Sequence, residues 1–247
     1  MPITGNVAWD GRLEAYKGRD TTHYVRAAAA VARVCGVCGE RVRRGEPLSL
    51  IVEISESTAP DGSEKLIFVD CVCHRRCGGP AVAVCQSEWG PEEVVPIAAR
   101  VLLTLEDGGA TRTVPVLAFT LYPTLTFREN GGEQTSALVS VLLTHGFRLA
   151  LSARFIDIVE RADDVHDSCS ITLDRQGRIC LTLDGQPFCR ETLDPEDRDD
   201  AVWLEAARRD AVLVISGDNL LISNTELDIT EAARMGTLVT GLVSTRS

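Results

Sequence analysis

Two short clusters of soft donor side chains constrain this chain more than anything else in it: Cys35-Gly36-Val37-Cys38-Gly39 and Cys73-His74-Arg75-Arg76-Cys77. The C-x-x-C spacing lets two thiolates grip one ion from a tight turn, and glycines there allow backbone N–H groups to approach the sulfurs. His74 and Cys77 are three residues apart, so at the start of a helix they would share a face and complete a tetrahedron. Pinning both clusters to one point obliges the stretch between them to fold back. Residues 47–54 and 65–69 read as the two strands of that hairpin, with 57–64, containing Asp61-Gly62, as its loop. Cys71 and Cys73 are further donors that compete with His74 for the fourth position.

A knuckle, a hairpin and then a ligand pair at a helix start resembles the treble-clef class of zinc fingers. The residues that carry the resemblance are Cys35, Cys38, His74 and Cys77, with Gly45 at the turn into the hairpin, over about residues 33–80. It implies a structural Zn2+ ion held by those four side chains, and a fold class rather than an activity. A catalytic zinc would need three protein ligands, an open water position and a neighbouring acid or base. No H-x-E, P-C-x-x-C or H-E-x-x-H pattern occurs, so the expected site is closed and no catalytic residue is assigned. The competing reading of the cysteines is a set of buried free thiols.

The chain has 247 residues, 45% of them hydrophobic, which excludes long disorder, a collagen-like structure and a coiled-coil rod. Nine cysteines cannot all pair within one chain. The first residues carry neither a basic start nor an apolar core, so the reading is of a cytoplasmic protein whose cysteines stay reduced. The longest charge-free runs, 113–127 and 134–147, fall short of the 18 or more residues that a membrane span needs. Lys17 and Lys65 are the only lysines among many arginines, a bias expected of a GC-rich bacterial genome.

The net charge of −11 is unevenly placed. Residues 1–100 carry 12 basic and 13 acidic side chains, whereas residues 101–247 carry 13 and 23. The acidity therefore belongs to the C-terminal part and opposes nucleic-acid binding there. Around the donor clusters, Arg41, Arg43, Arg44, Arg75 and Arg76 suit phosphate or carboxylate recognition, or else form a solvated face offset by Glu40, Glu46 and Asp70.

The expected fold class is α+β: a zinc module in residues 1–90, a polar linker at 86–96, and an acidic, sheet-rich α+β domain over 97–247. Residues 10–34 read as one helix. Beyond the linker, strands are expected at 101–105, 114–119 and 121–127, with a turn at 106–109; a helix follows at 135–145 and a strand at 147–151. A second series reads as strands at 171–173, 179–183 and 188–193, a helix opening at Asp194-Pro195-Glu196, and a strand at 211–215. The order βββαβ thus occurs twice, in 97–160 and 165–247, as a diverged duplication or as two units alike by chance.

Weaker candidates complete the reading. Cys180 and Cys189 would face each other across a hairpin closed by Asp184-Gly185, as a redox pair or, with Cys169 and His166, a second metal site. Asp163, Asp164, His166 and Asp167 form an acidic loop. Residues 210–220, containing Ser216-Gly217-Asp218, resemble the strand-then-Ser-Gly-Asp segment of PIN/NYN-type nucleases, and a hairpin turn explains the segment equally well. His145, before Gly146, is placed to cap a helix end. The function expected from this set is a zinc-binding, non-enzymatic adaptor or regulatory module that meets a protein partner. The alternative is a nucleic-acid-binding protein or metal-dependent nuclease working through the five arginines.

Overall fold

The computed structural model describes residues 1–58, 64–86, 94–107, 110–128, 134–209, 211–218, 220–222 and 227–246. The protein is strand-rich α+β with several sheets, which among the described residues form no barrel. It divides into two units, one made of Met1–Val95 with Tyr122–Ala137 and the other of Pro96–Leu121 with Leu138–Ser247.

The first unit opens with β1 (Ile3–Thr4) and β2 (Val7–Ala8), then α1 (Glu14–Lys17) and α2 (Thr21–Val31), each preceded by a 3-10 turn. The single helix expected over 10–34 is therefore broken. Gly18 closes α1 at φ +52, a left-handed conformation that glycine reaches without a Cβ penalty. Strands β3 (Leu48–Thr58) and β4 (Glu64–His74) are longer than the sequence suggests and pair from Leu48↔His74 to Thr58↔Glu64. Alternation sets one face of this ribbon inward. Leu48, Leu50, Val52, Ile54, Leu66 and Phe68 are buried with Tyr24, Val25 and Ala28 of α2. β5 (Ala81–Cys85) lies parallel to β3.

The chain then enters the second unit as β6 (Val95–Asp107) and β7 (Ala110–Tyr122), and returns to the first for β8 (Thr124–Arg128) and β9 (Gln134–Ser136). β8 pairs antiparallel with β4, from Phe68↔Thr124 to Glu64↔Arg128, and gives the first sheet the order β1-β2-β3-β4-β8-β9 with β5 on β3. Residues 122–137, which the sequence reading kept within 97–247, thus complete the sheet that carries the donor clusters.

In the second unit come α3 (Ala137–Thr144), β10 (Arg148–Leu149), α4 (Phe155–Arg161), β11 (Cys169–Leu173), β12 (Arg178–Leu183), β13 (Gln186–Thr192) and α5 (Arg198–Arg209). They are followed by β14 (Val212–Ser216), β15 (Leu221–Ile222), β16 (Leu227–Asp228), α6 (Thr230–Met235), β17 (Val239–Val243) and β18 (Thr245–Arg246). One sheet has the order β10-β17-β14-β7-β6 and another β13-β12-β11-β18. Leu117, Phe119, Leu142, Ile171, Leu181 and Val214 share a core with Trp203, Leu204 and Ala207 of α5, whose spacing of one, three and four residues defines its buried stripe. The Trp203 indole N–H donates to the Val116 carbonyl at 3.1 Å. The two βββαβ stretches share element order but not pairing: β6 and β7 join β14 and β17, β8 joins β4, and β11–β13 form their own sheet. The helix expected over 135–145 begins as strand β9, and the strand expected at 147–151 is only β10.

The hairpin of β12 and β13 has the expected two-residue loop at Asp184-Gly185, with Leu183 opposite Gln186. A β-bulge between Leu181 and Thr182 then shifts the register, so Cys189 pairs with Leu181 and Cys180 with Arg190. The two cysteines are consequently offset rather than opposed: Cys189 is buried in the core and Cys180 lies half-exposed on the outer face. The expected loop at 57–64, linker at 86–96, turn at 106–109 and Asn219 fall wholly or partly outside the described residues. Among the described residues no helix is long and apolar enough to cross a membrane.

Candidate metal centre

Residues 33–42 make a miniature hairpin whose tip carries the first donor pair. Val34 bridges Arg41, the Val42 N–H donates to the Arg33 carbonyl at 3.0 Å, and the Cys35 N–H donates to the Glu40 carbonyl at 2.8 Å. The Gly39 N–H turns back to the Cys35 carbonyl at 2.8 Å with φ +72, a conformation suited to glycine. Gly36 is needed for a different reason. Its N–H reaches the Val72 carbonyl at 3.0 Å, and a Cβ there would lie 2.3 Å from Cys71 Sγ. The knuckle thereby lies directly against β4.

The second pair sits at the end of β4 and not on a helix. His74 is the last residue of the strand; the N–H groups of Cys77 and Gly78 both fold back to its carbonyl, at 2.8 and 3.3 Å. Gly78-Gly79-Pro80 stops any helix there, and the chain turns straight into β5. The helix expected from the treble-clef resemblance is absent from this position, while its donor set is present. The ligating atoms of Cys35, Cys38, His74 and Cys77 all lie within 4.8 Å of one another, an arrangement compatible with a zinc site. His74 Nδ1 is 3.5 Å from Cys38 Sγ and 3.9 Å from Cys77 Sγ, and the His74 N–H points at Cys35 Sγ at 3.4 Å. Among the described residues this is the only such group of three or more donors.

Pleating explains why His74 wins over the neighbouring thiols. Cys71 and Cys73 project from β4 on the face opposite to His74: Cys73 Sγ contacts the Gly78 carbonyl at 3.7 Å, and neither joins the cluster. Their thiols are held above the ordinary range, chiefly by burial. At Cys35 burial acts in the same direction, but N–H donation from Cys38, His74 and Val37 outweighs it and brings the thiol down to about 6. Thiolate character is thus built into Cys35.

Glu46, which the sequence marks only as an acid offsetting the arginines, stands beside the imidazole. Its Oε2 is 3.3 Å from His74 Nε2, and its other role is to accept the Arg43 N–H at 3.1 Å. That backbone hydrogen bond, with His74, Arg43 and Arg76 nearby, holds the carboxyl below the usual range. The approach to Nε2 lacks the alignment of a full hydrogen bond, leaving that buried nitrogen without a hydrogen-bond partner. The register supplies the signal: Leu48 opposite His74 brings the residues just before β3 alongside the imidazole.

The five arginines do not act as one group. Arg76 pairs with Glu40 at 2.6 Å, linking the two turns, and the Arg75 N–H donates to the Pro47 carbonyl at 2.9 Å. Arg41, Arg43 and Arg44 are exposed.

The remaining candidates sit in the second unit and do not gather into a metal site. Asp163 pairs with Arg148 at 2.8 Å, the Asp167 carbonyl accepts from Arg246, and His166 packs over Gly146. His145 lies at the end of α3, with Nδ1 2.8 Å from the Val141 carbonyl and Nε2 3.0 Å from Asp184 Oδ2. In Ser216-Gly217-Asp218, the Ser216 hydroxyl donates to the Phe119 carbonyl at 2.9 Å, and the Asp218 carbonyl accepts from Thr237 at 3.2 Å. Gly217, at φ +151, passes so close to Thr237 that a Cβ would lie 2.2 Å from its carbonyl oxygen. Close backbone packing therefore accounts for the glycine in that segment.

Comparison of the chain with protein-family models, with curated proteins and with solved structures gave no match.

Proposed function

We propose that Cys35, Cys38, His74 and Cys77 hold one structural Zn2+ ion, and that the protein is a non-enzymatic adaptor or regulatory module of the cytoplasm that meets a protein partner. The observation that carries the zinc reading is the spacing of the donors. Zn–S bonds of about 2.3 Å and a Zn–N bond of about 2.0–2.1 Å in a tetrahedron require edges of roughly 3.5–3.8 Å. Of the Nδ1–Sγ separations, that to Cys38 at 3.5 Å meets the requirement and that to Cys77 at 3.9 Å lies just above it. Three thiolates and an imidazole suit zinc among the divalent ions, and four protein donors fill its tetrahedron. Bound there, the ion supplies cross-linking between the residue 33–42 hairpin and the end of β4. The Glu46 carboxylate stands 3.3 Å from Nε2, so that with the ion on Nδ1 it would serve as the outer partner that orients the imidazole.

Two experiments test this reading. Chelation should raise amide hydrogen exchange across residues 33–42 and 74–78 while leaving β14 and β17 protected; unchanged exchange in the first set refutes a structural ion. Turnover by the pure protein that depends on Asp218 or His166 would refute the non-enzymatic assignment.

Exposure of Arg41, Arg43 and Arg44 beside the site supports the alternative, a nucleic-acid-binding protein. It predicts binding of a labelled single strand at low salt, weakened steeply by added salt and by Arg→Gln changes at Arg41, Arg43 and Arg44. No binding at low salt refutes it.

A further inference from the structure

The outer face of the β13-β12-β11-β18 sheet carries a groove of about 540 Å³, lined among others by Thr172, Cys180, Arg190, Thr192 and Arg246. We infer that this groove is a binding site for a small oxyanion ligand, a molecule bearing a phosphate or carboxylate group gripped between Arg190 and Arg246.

The site follows from the strand register. Arg190 pairs with Cys180, Cys180 with Thr172, and Thr172 with Arg246, so one row across four strands reads Arg–Cys–Thr–Arg. Paired residues share a face, and this face is the one turned away from Ile171, Ile179, Leu181 and Cys189 of the core. The bulge at Leu181/Thr182 is what brings Arg190 into the row. In an unshifted hairpin Cys180 would face Cys189, and Arg190 would lie on the opposite side of the sheet.

The charges are set for an anion. Three arginines line the groove, with Asp174 and Glu191 as the acids. Asp174 is committed to Arg178, to which it is both ion-paired and hydrogen-bonded, and it also accepts the Gln176 N–H. Among the described residues no carboxylate pairs with Arg190 or Arg246; Arg246 donates only to the Asp167 carbonyl, at 3.2 Å. Both guanidiniums thus retain donors for a ligand. The hydroxyl of Thr192 adds a neutral donor on the same face, while that of Thr172 donates to the Cys180 carbonyl at 3.5 Å. Guanidinium forks match planar or tetrahedral oxyanions, and here they stand at either end of a threonine and cysteine floor. The volume falls within the 300–1,000 Å³ typical of small-molecule sites. A cationic row on the part of the chain that holds most of its negative charge is also a local departure from the average surface.

Cys180 reports occupancy directly, because it lies half-exposed between the two arginines. The full-length protein is alkylated with iodoacetamide, and the Cys180 peptide is followed by mass spectrometry in sodium phosphate, in sodium succinate, or in sodium chloride of equal ionic strength. For a Kd of ~1 mM, about 10 mM anion leaves roughly a tenth of the sites open and slows alkylation about tenfold. Protection by phosphate identifies a phosphorylated ligand, and protection by succinate a carboxylated one. The Arg190→Gln/Arg246→Gln variant should lose the protection, whereas Arg154→Gln, just before α4, should keep it. Both variants change exposed side chains, and an unaltered urea midpoint establishes that they fold. Equal alkylation rates in all three salts, or protection that survives in the double variant, overturns the proposal.

Discussion

Removing the Glu46 carboxylate tests whether the site includes a partner for the histidine as well as its four donors. Glu46 Oε2 stands 3.3 Å from His74 Nε2, longer than the ~2.7–2.9 Å of an ideal charge-assisted bond, and the carboxylate is 30% exposed. Water therefore competes for it, and the expected effect falls at the lower end of the 10–100-fold range typical of such outer partners. Glu46→Ala should weaken zinc binding about tenfold. Glu46→Gln keeps an acceptor oxygen and loses the charge, so its loss should be roughly threefold. Glu40→Gln is the control: Glu40 pairs with Arg76 where both side chains are mostly exposed, and its removal should leave affinity unchanged. Competition against a chromophoric chelator at pH 7.4 measures all three. Affinities of Glu46→Ala and wild type equal within twofold would refute the assignment of Glu46 as orienting partner.

Two further predictions concern the second unit. The His145 pKa is raised, first by the Val141 carbonyl and then by Asp184, so this group stabilises the fold fully below its unfolded value near 6.5 and loses that contribution as pH rises through the higher folded value. Asp184→Asn, tolerated at φ +49, should lower the urea-derived stability by a few tenths to about 1 kcal/mol at pH 6 and by less at pH 8; equal losses at both would refute the pairing. Gly217→Ala must push Thr237 away while adopting a φ that L residues avoid, and should cost about 3 kcal/mol or more by chemical denaturation; a loss below about 1 kcal/mol would refute the close packing.

What the sequence revealed depended on the range of the interaction. Cys35, Cys38, His74 and Cys77 were legible because donor chemistry and short spacing are local, and their convergence needs only the hairpin between them. The hairpin and most strands of 165–247 were legible from alternation and turn residues. Boundaries failed where one glycine or proline outweighed a periodic pattern: Gly18 broke the first helix, and Gly78-Gly79-Pro80 replaced the expected helix after Cys77 with a turn. Sheet membership was not legible. Thr124–Arg128 looks like the third strand of a meander, yet it pairs with β4, a choice made by long-range packing that leaves no trace in the segment itself. The bulge at Phe188 in β13 was equally silent. One displaced residue moved Cys189 into the core and Arg190 beside Cys180, which converted a suspected thiol pair into a cationic groove. Glu46 was missed because its role depends on register across the hairpin and not on spacing along the chain.

The most direct measurement is the zinc content of the purified full-length chain by elemental mass spectrometry, set beside that of Cys35→Ser and Cys38→Ser. One zinc per chain, lost in both variants along with protection of residues 33–42 from hydrogen exchange, is the predicted result. Folded protein that contains no zinc, or that retains it in both variants, would contradict the assignment of the four-residue cluster as a structural zinc site.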